Sequence, residues 1–267
     1  MGDKMKHLQM YKNFVPLLVI AVTVLLTVLY MYRKKLFVFF IYICGIFKSG
    51  VKNIEKDRCK DWIKKLGGSS IDVYYKRGLV FTLFGILPIL MIKYIFKQPL
   101  RNFGYGLKSI KSTIVITLLL YAVSLPVILI ASRSWKLQNI YPEVRESIES
   151  KLSFLFSAIS YILFYFGYEA LYRGFLLFGL REYLGEWTAI IISMCFASVS
   201  HLNTPGSVFL ASVITGILFP WINLKAGSLW PVFLAHSGIG VSMDFFCLKR
   251  LRILGTQEGE RARSSQY

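Results

Sequence analysis

Three side chains able to move protons stand inside apolar runs of this chain: Glu169, His201 and His236. Glu169 belongs to the stretch Gly167-Tyr168-Glu169-Ala170-Leu171-Tyr172-Arg173-Gly174, inside a run that reaches from Leu152 to Leu180. Positions four apart share one face of a helix, so Glu169 and Arg173 can meet there. A charge at the centre of a membrane helix costs about 3 kcal/mol or more and marks function or a tight structural pair. A carboxylate with two imidazoles suits the activation of water. The carboxylate takes the proton, one imidazole orients the water, and the other donates to the developing oxyanion. That is peptide hydrolysis without a covalent intermediate. The same three side chains, Glu169, His201 and His236, are also a ligand set for Zn²⁺ with water in the fourth place. No HExxH helix is present, and a site without metal is the favoured reading.

Depth permits one shared layer. Counted at 1.5 Å per residue from the turn Arg181 to Glu186, Glu169 lies about 17 Å deep. His201, counted from Trp187, lies about 21 Å deep, and His236, counted from Leu229, about 10 Å. Each residue also has a plainer reading. Glu169 can serve only to neutralise Arg173. His201 precedes the turn Leu202-Asn203-Thr204-Pro205-Gly206 and can cap a helix end. His236 has the small neighbours Ala235, Ser237 and Gly238, which admit a close helix as readily as a substrate. Asp244 is eight residues beyond His236 on another part of the helix surface, and Lys249 or Arg250 is its expected partner.

The elements that must carry these residues are membrane helices. The chain has 267 residues, 55% of them hydrophobic, and a mean hydropathy of +0.54. Several of its runs approach the roughly 20 residues needed to cross a bilayer. The expected fold is all-α, a polytopic transmembrane helix bundle of about 7–8 spans. The spans fall near 14–32, 36–47, 78–96, 112–131, 152–180, 187–202, 206–223 and 229–247, the second being short enough to be re-entrant or to continue the first. The organisation that follows is an N-terminal membrane part over 1–47, a basic cytoplasmic loop over 48–77, two helices over 78–131, a core over 150–250 and a polar tail over 254–267. The net charge of +18 falls in the gaps between apolar runs, which points to anionic lipid at the bilayer surface and not to nucleic acid. With eight crossings, the segments on the side of the N-terminus carry more than twice the Lys and Arg of the others. Both termini are therefore expected in the cytoplasm, with the protein in the cell membrane. Cys44, Cys59, Cys195 and Cys247 have no metal-ligand spacing and read as small core residues.

Residues 150–250 resemble the CPBP intramembrane proteases, the group of CAAX proteases and bacteriocin-processing enzymes. The family's first motif is a pair of glutamates, three free residues and Arg, commonly followed by Gly. It is matched by Glu169, Arg173 and Gly174, with Tyr168 in place of the first glutamate. The second motif, Phe, three free residues and His, is matched at His201, with Ala197 in the Phe place. The third motif has a Ser-Leu-Trp-Pro-like opening, seen here as Ser228-Leu229-Trp230-Pro231, and then His236. Gly240 stands where the family has Asn or Asp.

The resemblance implies an intramembrane endopeptidase acting on a membrane-associated, prenylated or leader-peptide substrate. Glu169 would be its base, His201 its water-orienting residue and His236 its oxyanion donor, with Arg173, Tyr168 and Asn203 in support. Loss of the amide at position 240 removes an oxyanion donor worth about 3 kcal/mol, unless Asn203, Ser237 or a tyrosine substitutes. Two other readings belong to different classes. One is a catalytically inactive relative that binds or escorts membrane proteins. The other is a proton-coupled transporter, against which the lack of repeated halves speaks.

Overall fold

The structure is a computed structural model that describes residues 2–33, 70–148, 150–202 and 204–264, the side chains of 2–13 and 254–264 excepted. Among the described residues there is no strand. Seven helices carry the architecture: α1 (Gly2–Met31), α2 (Ser70–Ile95), α3 (Ile110–Ala131), α4 (Lys151–Leu184), α5 (Glu186–Val199), α6 (Gly206–Ala226) and α7 (Trp230–Ser264). Six of them are long and apolar enough to cross a bilayer, and the 14-residue α5 is shorter. The polytopic helical bundle expected from hydropathy is the fold observed.

α4 is the central helix. Ser150 caps its start by accepting from the Ser153 backbone amide, and α1, α2, α5 and α7 all pack on it. Backbones come closest where α4 crosses α2. A Cβ added at Gly167 would stand 2.5 Å from the Val80 carbonyl oxygen and 3.0 Å from Phe81 Cα. Beyond Glu169 the helix widens into a π stretch, Ala170–Phe178, whose side chains are all buried. Such a stretch breaks the regular ladder and leaves carbonyls to be satisfied from outside. The Tyr105 hydroxyl donates to the Ala170 carbonyl at 3.2 Å, and Ser193 Oγ donates to that of Tyr172 at 2.8 Å. Phe96 and Phe103 stack on Phe175, with Phe96 and Phe175 at 5.8 Å between ring centres and 9° between planes. The wide turn is thereby fixed from three neighbouring elements.

Contacts along α4 give the directions of the others. Val19 of α1 lies by Gly179, while Thr27 meets the Tyr172 hydroxyl at 3.2 Å, so α1 runs antiparallel to α4. α1 opens at the end of the bundle that holds the turn around Gly185. α7 starts at that same end, where the Leu229 amide donates to the Gly104 carbonyl, and finishes at the other. The start of α1 and the finish of α7 therefore lie at opposite ends of the bundle, not on one side as the eight-span reading expected. The segment 36–47, on which that reading depended, lies outside the described residues, as do Cys44 and Cys59. Cys195 is exposed on α5, so only Cys247 of the described pair is a core cysteine.

The boundary of the basic loop also moves, because the helix begins at Ser70, eight residues before the expected start. The cause is a buried ion cluster. Arg77, 1% exposed, donates to the Ser157 carbonyl at 2.8 Å, to Ser160 Oγ at 3.0 Å and to Glu143 at 3.1 Å. Its guanidinium lies 4.0 Å over the Tyr161 ring, and Asp244 is 3.8 Å away. Asp244 thus turns inward to Arg77 and not outward to Lys249, while Arg250 donates to Ser132 Oγ at 3.1 Å. The polar tail continues α7 as helix to Ser264.

Two outcomes follow. Gly167→Ala should cost about 1–3 kcal/mol through backbone crowding, whereas Gly78→Ala, with open space around it, should not destabilise. Thermal melting in detergent compares the two. Burial alone would raise the Glu143 carboxyl, but Lys76, at 2.6 Å, and Arg77 hold it below its ordinary value of 4.5. A lowered carboxyl stabilises the fold above that value, and the contribution is lost as pH falls through the lowered one. Glu143→Gln should therefore flatten the acid limb of the melting curve.

Candidate functional site

Glu169 is the last residue of regular α-helix before the π stretch. It is fully buried, and its two oxygens face different partners. Oε1 meets His236 Nδ1 at 2.7 Å, and Oε2 is 3.5 Å from Arg173 Nε. The second contact is an ion pair without hydrogen-bond geometry. Glu169 Oε2, Arg173 Nε and Arg173 Nη1 have no hydrogen-bond partner among the described residues. A carboxylate can only accept, so in this contact the proton belongs on Nδ1, and Nε2 is the ring nitrogen that Glu169 leaves unengaged. The His236 side chain is 18% exposed while that of Glu169 is 0%. The imidazole is the open end of the pair.

His201 is placed differently. It closes the last turn of α5, its backbone amide donating to the Ser198 carbonyl and its own carbonyl accepting from Thr204 Oγ1 at 2.7 Å. Its ring packs edge-on against Tyr168 at 6.3 Å between centres, and Tyr168 packs edge-on against His236 at 5.8 Å. Both imidazoles therefore pack on the Tyr168 ring. Its hydroxyl donates to the Ala197 carbonyl at 2.9 Å, tying α4 to α5, and the Arg173 guanidinium lies 5.4 Å from its ring. Of the predicted residues, the fold joins Glu169, Arg173 and His236 directly and adds Tyr168 and His201 as a second row. Asn203 lies outside the described residues.

Glu169 and His236 are in direct contact, but His201 does not join them in a metal-holding group. Among the described residues no three His, Cys, Asp or Glu side chains form a metal-holding group. Tyr165 is a residue of the site that sequence reasoning missed. Its ring lies 4.4 Å from that of His236, nearer than the rings of Tyr168 and Phe219. The signal was available in the spacing: Tyr165 is four residues before Glu169, on the same helix face.

Fold and site together define a polytopic helical membrane protein with a carboxylate–imidazole pair at the meeting of α4 and α7. Residues 150–242 match the family model of the type II CAAX prenyl endopeptidase Rce1-like proteins. This is the segment on which the motifs lie, and it is consistent with a member of the CPBP group. No curated protein and no solved structure matches the chain.

The buried ion pair yields a stability test. Arg173→Leu leaves Glu169 without its cation and should cost about 3–5 kcal/mol. Adding Glu169→Gln to that variant should recover part of the loss, as read by melting temperature in detergent.

Proposed function

We propose that this chain is an intramembrane endopeptidase that hydrolyses a peptide bond of a membrane-associated peptide or protein, with water activated by the Glu169–His236 pair. The carrying observation is the 2.7 Å contact between these side chains, made between two helices of membrane-crossing length. Because Oε1 holds Nδ1–H, Nε2 of His236 is the atom free to take a proton from water, and Glu169 fixes the tautomer and balances the imidazolium that forms. This moves the base from Glu169, where the motif resemblance put it, to His236, and it removes His236 from the oxyanion role. A neutral imidazole bonded through Nδ1–H has no second proton to give. His201, which packs edge-on against Tyr168, keeps the part of orienting the water. Arg173 holds the carboxylate charged against the cost of burial.

The family match to residues 150–242 supports a protease of the CAAX type. A prenylated or leader-peptide substrate is the class proposed, presented at the bilayer. No metal is assigned a step. We place the protein in the cell membrane. The end of the bundle at which α3 finishes, α4 begins and α7 finishes is assigned to the cytoplasm by its Lys and Arg content.

Reconstituted protein should cleave a prenylated or leader-bearing peptide library. Glu169→Gln and His236→Ala should each reduce the rate by about 10²-fold or more, compared at a temperature where both variants are folded. A chelator should leave the rate unchanged. Unaltered cleavage in both variants would remove the assignment.

A further inference from the structure

Gly240 lies one helical turn after His236, so both face the same side of α7. A Cβ at 240 would stand 2.7 Å from Tyr165 Cζ and nearer still to Cε2 and the hydroxyl oxygen. These are distances that real Cβ atoms do not show. The space belonging to any side chain at 240 is therefore filled by the Tyr165 phenol, which reaches across from α4. With that space taken, the ring lies against the His236 imidazole at 4.4 Å between centres and 44° between planes. The hydroxyl donates to the Tyr161 hydroxyl at 3.3 Å, and the Tyr161 ring stacks on that of Tyr165 at 4.8 Å. Tyr161 is buried and covered by the Arg77 guanidinium. Tyr165 is thus held from behind by the buried ion cluster and presses on His236 in front.

We infer that Tyr165 is a positioning residue of the Glu169–His236 pair, and that it can act only because residue 240 is glycine. An imidazole can rotate about its Cβ–Cγ bond, and turning it carries Nδ1 away from Glu169. The phenol on one side and Phe219, at 5.4 Å on another, limit that rotation. Tyr168 stands edge-on at 5.8 Å and bounds a third side. Tyr165 touches no reacting atom; it acts through the ring of His236. Position 240, which lacks the polar side chain of the third motif, is in this account the opening through which α4 supplies a different group. The inference rests on the proposed reading of the pair only for its consequence in catalysis; the positioning itself is a property of the fold.

The test uses full-length protein in lipid nanodiscs, labelled with ¹⁵N in the histidine rings. The chain has three histidines, His7, His201 and His236, so signals are assigned by removing one at a time. Wild type should show a strongly deshielded, slowly exchanging Nδ1–H for His236. Tyr165→Phe keeps the ring and should keep that signal. Gly240→Ala displaces the phenol by crowding, and Tyr165→Leu removes it; both should lose the signal and let the ring exchange between tautomers. In the Tyr165→Leu background, adding Gly240→Ala should cause no further change. Because the two variants reach the same end by opposite routes, either one that folds decides the matter. Retention of the wild-type signal in a folded Gly240→Ala or Tyr165→Leu protein overturns the inference. Absence of peptide cleavage by wild type would sink the endopeptidase reading and leave this result standing.

Discussion

The structure depends on keeping one carboxylate charged and paired inside a slab that solvates neither charge nor backbone. Glu169 is fully buried, so Arg173 and His236 must offset the cost of taking its charge out of water. Their positions on two helices impose geometry on both. α4 must bring position 173 back within reach of 169 while its carbonyls lose their regular partners, and α7 must pass close enough for Nδ1 to meet Oε1. The π stretch and its outside donors, Tyr105 and Ser193, answer the first demand. Gly240 answers the second, since the Tyr165 phenol of α4 occupies the place where a Cβ of α7 would stand. Gly167 does the same for the crossing of α4 and α2.

A second buried charge system lies toward the other end of the bundle. Arg77 gathers Ser157, Ser160, Glu143 and Asp244 from α4, the connection before it and α7. It binds the helices that frame the site without touching the pair itself. The tyrosine ladder of Tyr161 and Tyr165 joins the two systems physically. A change in packing at one can therefore be felt at the ring of His236.

Much of this is legible in the sequence, for identifiable reasons. Long apolar runs must be helices in a bilayer, because every backbone amide needs an internal partner there. That argument gives about 7–8 spans, among them the six membrane-length helices, and puts Glu169, His201 and His236 at compatible depths. Motif resemblance names the same segment that the family model matches. What cannot be read is lateral. Depth along a helix says nothing of which neighbour a side chain faces, so sequence cannot tell that Glu169 meets His236 directly while the His201 ring packs on Tyr168. Arg77 reads as a loop residue because a cation at the edge of an apolar run resembles a surface anchor until its buried partners are known. Asp244 pairs, on sequence alone, with cations near it in the chain, whereas its partner is on α2. Topology is hidden for a related cause: parity of crossings hinges on segment 36–47, which is too short for a comfortable span and too apolar for an ordinary loop.

Central to the account is that Glu169 and His236 are bonded within the membrane interior. Solid-state NMR in lipid can measure the separation between ¹³Cδ of Glu169 and ¹⁵Nδ1 of His236 directly. The account predicts dipolar coupling of the strength that a hydrogen-bonded carboxylate and imidazole require, in agreement with the 2.7 Å contact between Oε1 and Nδ1. Coupling too weak for a direct bond, in protein shown to be folded, would contradict it.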